Sequence, residues 1–158
     1  DGRSFAVLDE LRRRHYPPER NVVPAHLTLF HSLPDEHRRE IVATIDVVCR
    51  GHRPIPLSVT GLRLLGNGVA VGFSSAELVA LRHELAREWA MWLTPQDSAR
   101  IAPHVTIQNK VPPDAARALH RELNASFRLD QVRGEGLNLW RYLGGPWELV
   151  RRFKFTGR

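Results

Sequence analysis

Two segments of this 158-residue chain can be laid over each other without a gap. His26 falls on His104, Thr28 on Thr106, Leu29 on Ile107 and Leu33 on Val111. Pro34 then falls on Pro112, Arg39 on Arg117 and Ile41 on Leu119. Each copy reads as a strand, a short turn, a proline at a helix start and an amphipathic helix, and each follows a helix. A chain that carries such a unit twice is expected to form two similar lobes related by a pseudo-twofold axis. Each lobe would present one His-x-Thr strand, and strands near the axis would set the two histidines across a groove.

The second copy shows why these residues stand out. In Ala102-Pro103-His104-Val105-Thr106-Ile107-Gln108-Asn109-Lys110, Val105 and Ile107 point one way. His104, Thr106, Gln108 and Lys110 point the other. The apolar pair suits a core, and the polar row sets a proton-transfer group beside a hydroxyl donor. One such histidine is usually a satisfied polar residue. Two copies with threonine at the same offset point to chemistry, because one ring can take a proton while the other gives one. That division suits in-line displacement at phosphorus, with threonine hydroxyls donating to the non-bridging oxygens as charge builds up.

The remaining periodicities set the frame. A helix is expected from Ser4, as its cap, to about His15, with Phe5, Val7, Leu8 and Leu11 as the apolar stripe. Arg12, Arg13 and Arg14 read as a solvated basic end, and Tyr16-Pro17-Pro18 breaks the helix. The first motif strand is expected at about Val23 to Phe30. Ile41, Val42, Ile45 and Val48 give the second helix its buried face, with Cys49 as packing. Strand phase slips at Gly61, which predicts a bulge, and Gly66-Asn67-Gly68 predicts a hairpin turn into Val69, Val71 and Phe73. Leu78, Leu81, Leu85, Trp89 and Trp92 predict a third helix to about Leu93, and Leu119, Leu123 and Phe127 a fourth. Strands around Leu129–Val132, Leu137–Leu143 and Trp147–Phe155 complete the chain.

Composition narrows the class. The chain is 42% hydrophobic and 25% charged, so it reads as globular rather than disordered. It has no apolar run long enough to span a membrane and no signal-peptide pattern. Asp1 is not a natural initiator, so further sequence before it is expected. A net charge of +6 favours acidic partners such as phosphates or nucleic acid, although the basic residues are scattered and mostly arginine. Cys49 is the only cysteine, which excludes an internal disulfide and a thiolate metal cluster and points to a reducing cytoplasm. The other histidines show no metal spacing, and a zinc site on His26, His31 and His37 lacks a carboxylate or cysteine at matching spacing.

His26-Leu27-Thr28-Leu29 and His104-Val105-Thr106-Ile107 resemble the paired H-x-T-x motifs of the two-histidine (2H) phosphoesterase superfamily, nearest its 2′-5′ RNA ligase-like branch. The resemblance covers most of the chain. It implies a bilobal α+β fold over residues 1–158, with two pseudo-symmetric lobes of antiparallel sheet flanked by helices around a central groove. It further implies a metal-independent phosphodiesterase that needs no cofactor. Its substrate would be a 2′,3′-cyclic phosphate or a 2′-5′ phosphodiester of RNA or nucleotides, and reversible 2′-5′ ligation would be a second activity of the same site. By that similarity His26 and His104 are acid and base, and Thr28 and Thr106 bind the phosphate. Where members commonly carry a basic residue just after the second motif, this chain has Asn109 and then Lys110.

Lys110, in phase with His104, is an expected phosphate contact or else simply a strand end, and of Tyr142 and Trp140, which share a strand phase, Tyr142 is the expected base-stacking residue. Trp140 reads as core, and Arg141 and Arg152 as further cations. The expected partner is an RNA terminus or a small cyclic-phosphate nucleotide, bound by a cytoplasmic monomer that does not touch membrane. The alternative is a non-catalytic module that holds an RNA end or a nucleotide in the same groove.

Overall fold

In a computed structural model that describes residues 1–158, the chain is mixed α+β and divides into two compact units, each assembled from three stretches. Unit 1 comprises Asp1–Thr28, Leu57–Ser74 and Ala102–Val132. Unit 2 comprises Leu29–Pro56, Ser75–Ile101 and Arg133–Arg158.

Helix α1 (Gly2–His15) opens unit 1. Asp1, not Ser4, is its cap: an Asp1 carboxylate oxygen accepts from the Ser4 amide at 2.9 Å. Ser4 is buried instead, and its hydroxyl donates to the other Asp1 oxygen. The expected apolar stripe is narrower than its sequence, since Leu8 is buried and Phe5 and Val7 face water. Strands β1 (Ile55–Leu64), β2 (Val69–Ser74), β3 (His104–Gln108) and β4 (Gln131–Gly134) form one sheet in the order β3-β2-β1-β4. The β1–β2 and β2–β3 pairs are antiparallel. The predicted bulge is present, with the register slipping between Val59 and Gly61 and Gly61 at φ +115°. Glycine is required at the hairpin for a different reason: a Cβ on Gly68 would stand 2.0 Å from the Gln108 carbonyl oxygen. Helix α5 (Pro113–Ser126) has Pro113 in its first turn. Leu8, Val69, Val71, Phe73, Val105, Ile107, Leu119, Leu123 and Val132 form the core of this unit.

The first motif departs from the expected strand over 23–30. It forms no extended ladder, only a single antiparallel bridge from Leu27 to Val105. The prolines explain part of this, because Pro24 has no amide to donate and restricts the residue before it. The Ala25 amide is diverted to the Asp9 side chain at 2.8 Å.

In unit 2, α2 (Arg38–Gly51) packs on α3 (Ala76–Glu88) and on the hairpin of β5 (Gly136–Tyr142) and β6 (Trp147–Lys154). Helix α3 stops at Glu88, short of the expected end near Leu93. Trp89 is buried just beyond it, whereas Trp92 leaves the stripe and stacks on His37 with ring centroids 4.3 Å apart. A one-turn helix α4 (Pro95–Ser98) follows, capped by the Thr94 hydroxyl. Cys49 is buried, and burial pushes its thiol up to about 11, so it acts as packing. No helix is long and apolar enough to cross a membrane.

The core makes a direct prediction. Ile107 is fully buried between the polar residues Thr106 and Gln108 on β3. Ile107→Ala should cost about 2–5 kcal/mol of stability, read as a lower urea midpoint at unchanged slope.

Candidate active site

The bridge decides where the four motif side chains go. Residues opposite each other in an antiparallel pair share a face, and neighbours along each strand alternate. Leu27 and Val105 face each other and both pack into the core of unit 1. His26 and Thr28 therefore turn to the other face, together with His104 and Thr106. Antiparallel register sets His26 beside Thr106 and Thr28 beside His104. The two motifs meet around a local twofold axis through the bridge, and their histidines and threonines all lie in unit 1.

Each histidine ring is held in the same way. His26 Nδ1 lies 2.7 Å from the Pro24 carbonyl oxygen, and His104 Nδ1 lies 2.8 Å from that of Ala102. A carbonyl only accepts, so Nδ1 must carry the proton and donate. In the neutral ring this leaves Nε2 with a free lone pair, and in the charged ring Nε2 is a donor. Both bonds reach back two residues, so each Pro/Ala pair before a histidine fixes that ring's tautomer.

His26 keeps open surface, yet the protein packed around the rest of it lowers its pKa below the usual 6.5. The charges of Arg12 and His104 act in the same direction, while the bond to Pro24 opposes them.

Arg12 is the residue that sequence reasoning misplaced. It is buried, not solvated: Nη1 donates to the Thr106 carbonyl at 2.8 Å and Nε to Asn21 Oδ1 at 2.7 Å. Its guanidinium lies 4.0 Å from the centre of the Tyr16 ring. Burial lowers its pKa, with Tyr16 and Asp9 opposing, but from so high a value that it stays charged. Asp9, three residues earlier, is also buried and accepts from the Ala25 N–H. One helix thus holds both motifs, Asp9 beside His26 and Arg12 beneath Thr106. The i, i+3 spacing of a carboxylate and an arginine was visible in the sequence, but nothing local marked their partners.

Of the other expected contacts, Lys110 does not extend this row. Strand β3 ends at Gln108, and Lys110 sits beyond it at φ +61°, so the phase of His104 does not extend to it. Tyr142 belongs to unit 2, where it is 59% exposed at the end of β5 with its ring 5.0 Å from that of Trp147. Arg141 is paired with Asp35 at 3.0 Å. His31 bonds the buried Asp97 through both its amide and its ring. Burial alone would raise the Asp97 carboxyl, but the donors from His31 and Ser32 together hold it lowered. No three histidine, cysteine, aspartate or glutamate side chains converge to hold a metal ion.

Known proteins bear on this arrangement. A family model described as the 2′-5′ RNA ligase superfamily matches residues 2–146. Among solved structures, the crystal structure of TT0787 of Thermus thermophilus is similar in fold, with a TM-score of 0.61 and 17% identity. That match covers 100% of this chain and 94% of the other. No curated protein matches the chain in sequence.

Removing the buried cation should be visible at the neighbouring ring. Arg12→Met takes away one cause of the lowered His26 value, so His26 should titrate at higher pH than in the wild type, followed by NMR. The Thr106 carbonyl loses its charged donor, which should cost about 1–3 kcal/mol of stability.

Proposed function

We propose that this chain, which belongs to the 2′-5′ RNA ligase superfamily, is a metal-independent phosphodiesterase that opens 2′,3′-cyclic phosphates of RNA ends or nucleotides. Membership supports a phosphoesterase or ligase activity in general. The substrate and the roles below are our reading. One observation carries it: two histidines with matched Nδ1–carbonyl bonds share one face with two threonines around a single bridge.

The proposed step follows from that arrangement. A neutral ring accepts a proton from water at Nε2, and the water oxygen forms a bond to phosphorus. The phosphorus–oxygen bond to the 2′ or 3′ position breaks in line, and the leaving oxygen takes the Nε2 proton of the other, charged ring. Thr28 and Thr106 donate to the non-bridging oxygens, whose charge grows in the transition state. Burial biases His26 toward the neutral form, which fits it for the base and leaves the acid's part in the pair to the other histidine. If a ribose hydroxyl takes the place of water, the same exchange forms a phosphodiester, so reversible 2′-5′ ligation uses the same groups. Lys110 and Tyr142 remain proposed contacts to parts of the substrate beyond the reacting phosphate.

The test is hydrolysis of 2′,3′-cyclic nucleotides in EDTA, with products resolved. His26→Ala and His104→Ala should each lower turnover by at least about 10²–10⁴-fold with the fold intact. Undiminished activity in either variant refutes the pairing. The rate should be bell-shaped in pH. A lowered His26 value puts the acid limb below 6.5, because the base is lost only once His26 is protonated. Salt-sensitive RNA binding with no turnover of any cyclic phosphate would favour the binding module instead.

A further inference from the structure

We infer that Arg63 is the substrate-binding cation of this site, held beside His104 until a phosphate arrives. The inference rests on the phosphodiesterase reading above, and it assigns a residue that the motif pattern does not reach. Strand register places it. His104 pairs with Gly72 and Gly72 with Gly61, while Thr106 pairs with Ala70 and Ala70 with Arg63. Residues directly opposite in successive antiparallel strands share a face. Arg63 therefore rises from β1 on the face that carries His104 and Thr106, two strands away. The strand between them offers only glycine and alanine at these rows, so no long side chain of that strand stands in the way.

The side chain takes that route. A Cβ on Gly72 would meet Arg63 Cδ at 3.0 Å and Cγ at 3.5 Å, so the aliphatic stem lies across the glycine. The Thr60 hydroxyl closes on the same point at 2.6 Å. The guanidinium ends at the Ala102 carbonyl oxygen, with Nη1 3.3 Å away. That oxygen also accepts the His104 Nδ1 proton at 2.8 Å, so the guanidinium and the imidazole share one acceptor.

This contact is weak for an arginine. It is long, it is made to a neutral acceptor, and it uses one of five N–H groups. Arg63 is exposed, and no carboxylate holds it in place. A phosphate oxygen near His104 offers a charged acceptor and a bidentate fit that a carbonyl does not.

The experiment compares Arg63→Met and Arg63→Lys with the wild type. One readout is calorimetric binding of a nucleoside 2′-monophosphate across a salt series. The other is the split of KM and kcat on a 2′,3′-cyclic nucleotide. Arg63→Met should weaken binding about 10- to 100-fold and flatten its salt dependence, with the thermal midpoint unchanged. Arg63→Lys should recover part of the affinity, because it keeps the charge and loses the fork. Wild-type affinity and salt dependence in Arg63→Met overturn the inference. So does a loss confined to kcat, which would mean that Arg63 only steadies the His104 acceptor. If the wild type binds the monophosphate through Arg63 but turns over no cyclic phosphate, the phosphodiesterase reading fails and the cation assignment stands. If His26→Ala and His104→Ala are inactive while Arg63→Met is unchanged, the assignment alone fails.

Discussion

Everything proposed for this chain depends on one backbone pairing, the antiparallel bridge between Leu27 and Val105. Two hydrophobic side chains enter the core there, and burying them forces four polar ones to the opposite face. The driving force is unspecific, since apolar surface leaves water, but the period of two in a strand converts it into an orientation. A shift of one residue would bury both histidines and expose both aliphatic residues, so register here is set by the core, not by the site.

Helix α1 then secures what the bridge begins. A ladder of one pair is a poor anchor by itself, and buried polar groups fill the gap. Asp9 accepts from the chain just before His26, and Arg12 donates to the Thr106 carbonyl and to Asn21. Placing charged groups in a core is costly unless each finds partners. Here the partners include backbone groups of both motif segments, and satisfying them ties a helix surface to the orientation of both imidazoles.

Much of this was legible in the sequence. The matched motifs, the glycine bulge, the hairpin turn, the amphipathic helices and the buried β3 pair all follow from local spacing. What escaped depends on distant partners. Arg12, within a run of three arginines, looks like any basic helix end, because its acceptor at Thr106 is remote in sequence. Arg63 looks like a strand residue on a surface, and only the register across two strand pairs shows that it shares a face with His104. Trp92 fits the helical period of α3, but the helix ends first. The strand around the first motif shrank to one bridge because its amides are spent elsewhere or absent at proline.

The local twofold has a further consequence. Four groups related by such an axis look the same to a phosphate approaching from either side, so the motifs alone do not tell a 2′ oxygen from a 3′ oxygen. A ribose has no such symmetry and must dock one way round. Selection between the two orientations then falls to whatever is unequal about the surroundings. Two such contacts fall on the second motif only: Arg12 reaches Thr106, and Arg63 reaches Ala102 behind His104. In the proposed reaction, handedness would rest with residues outside the motif pair.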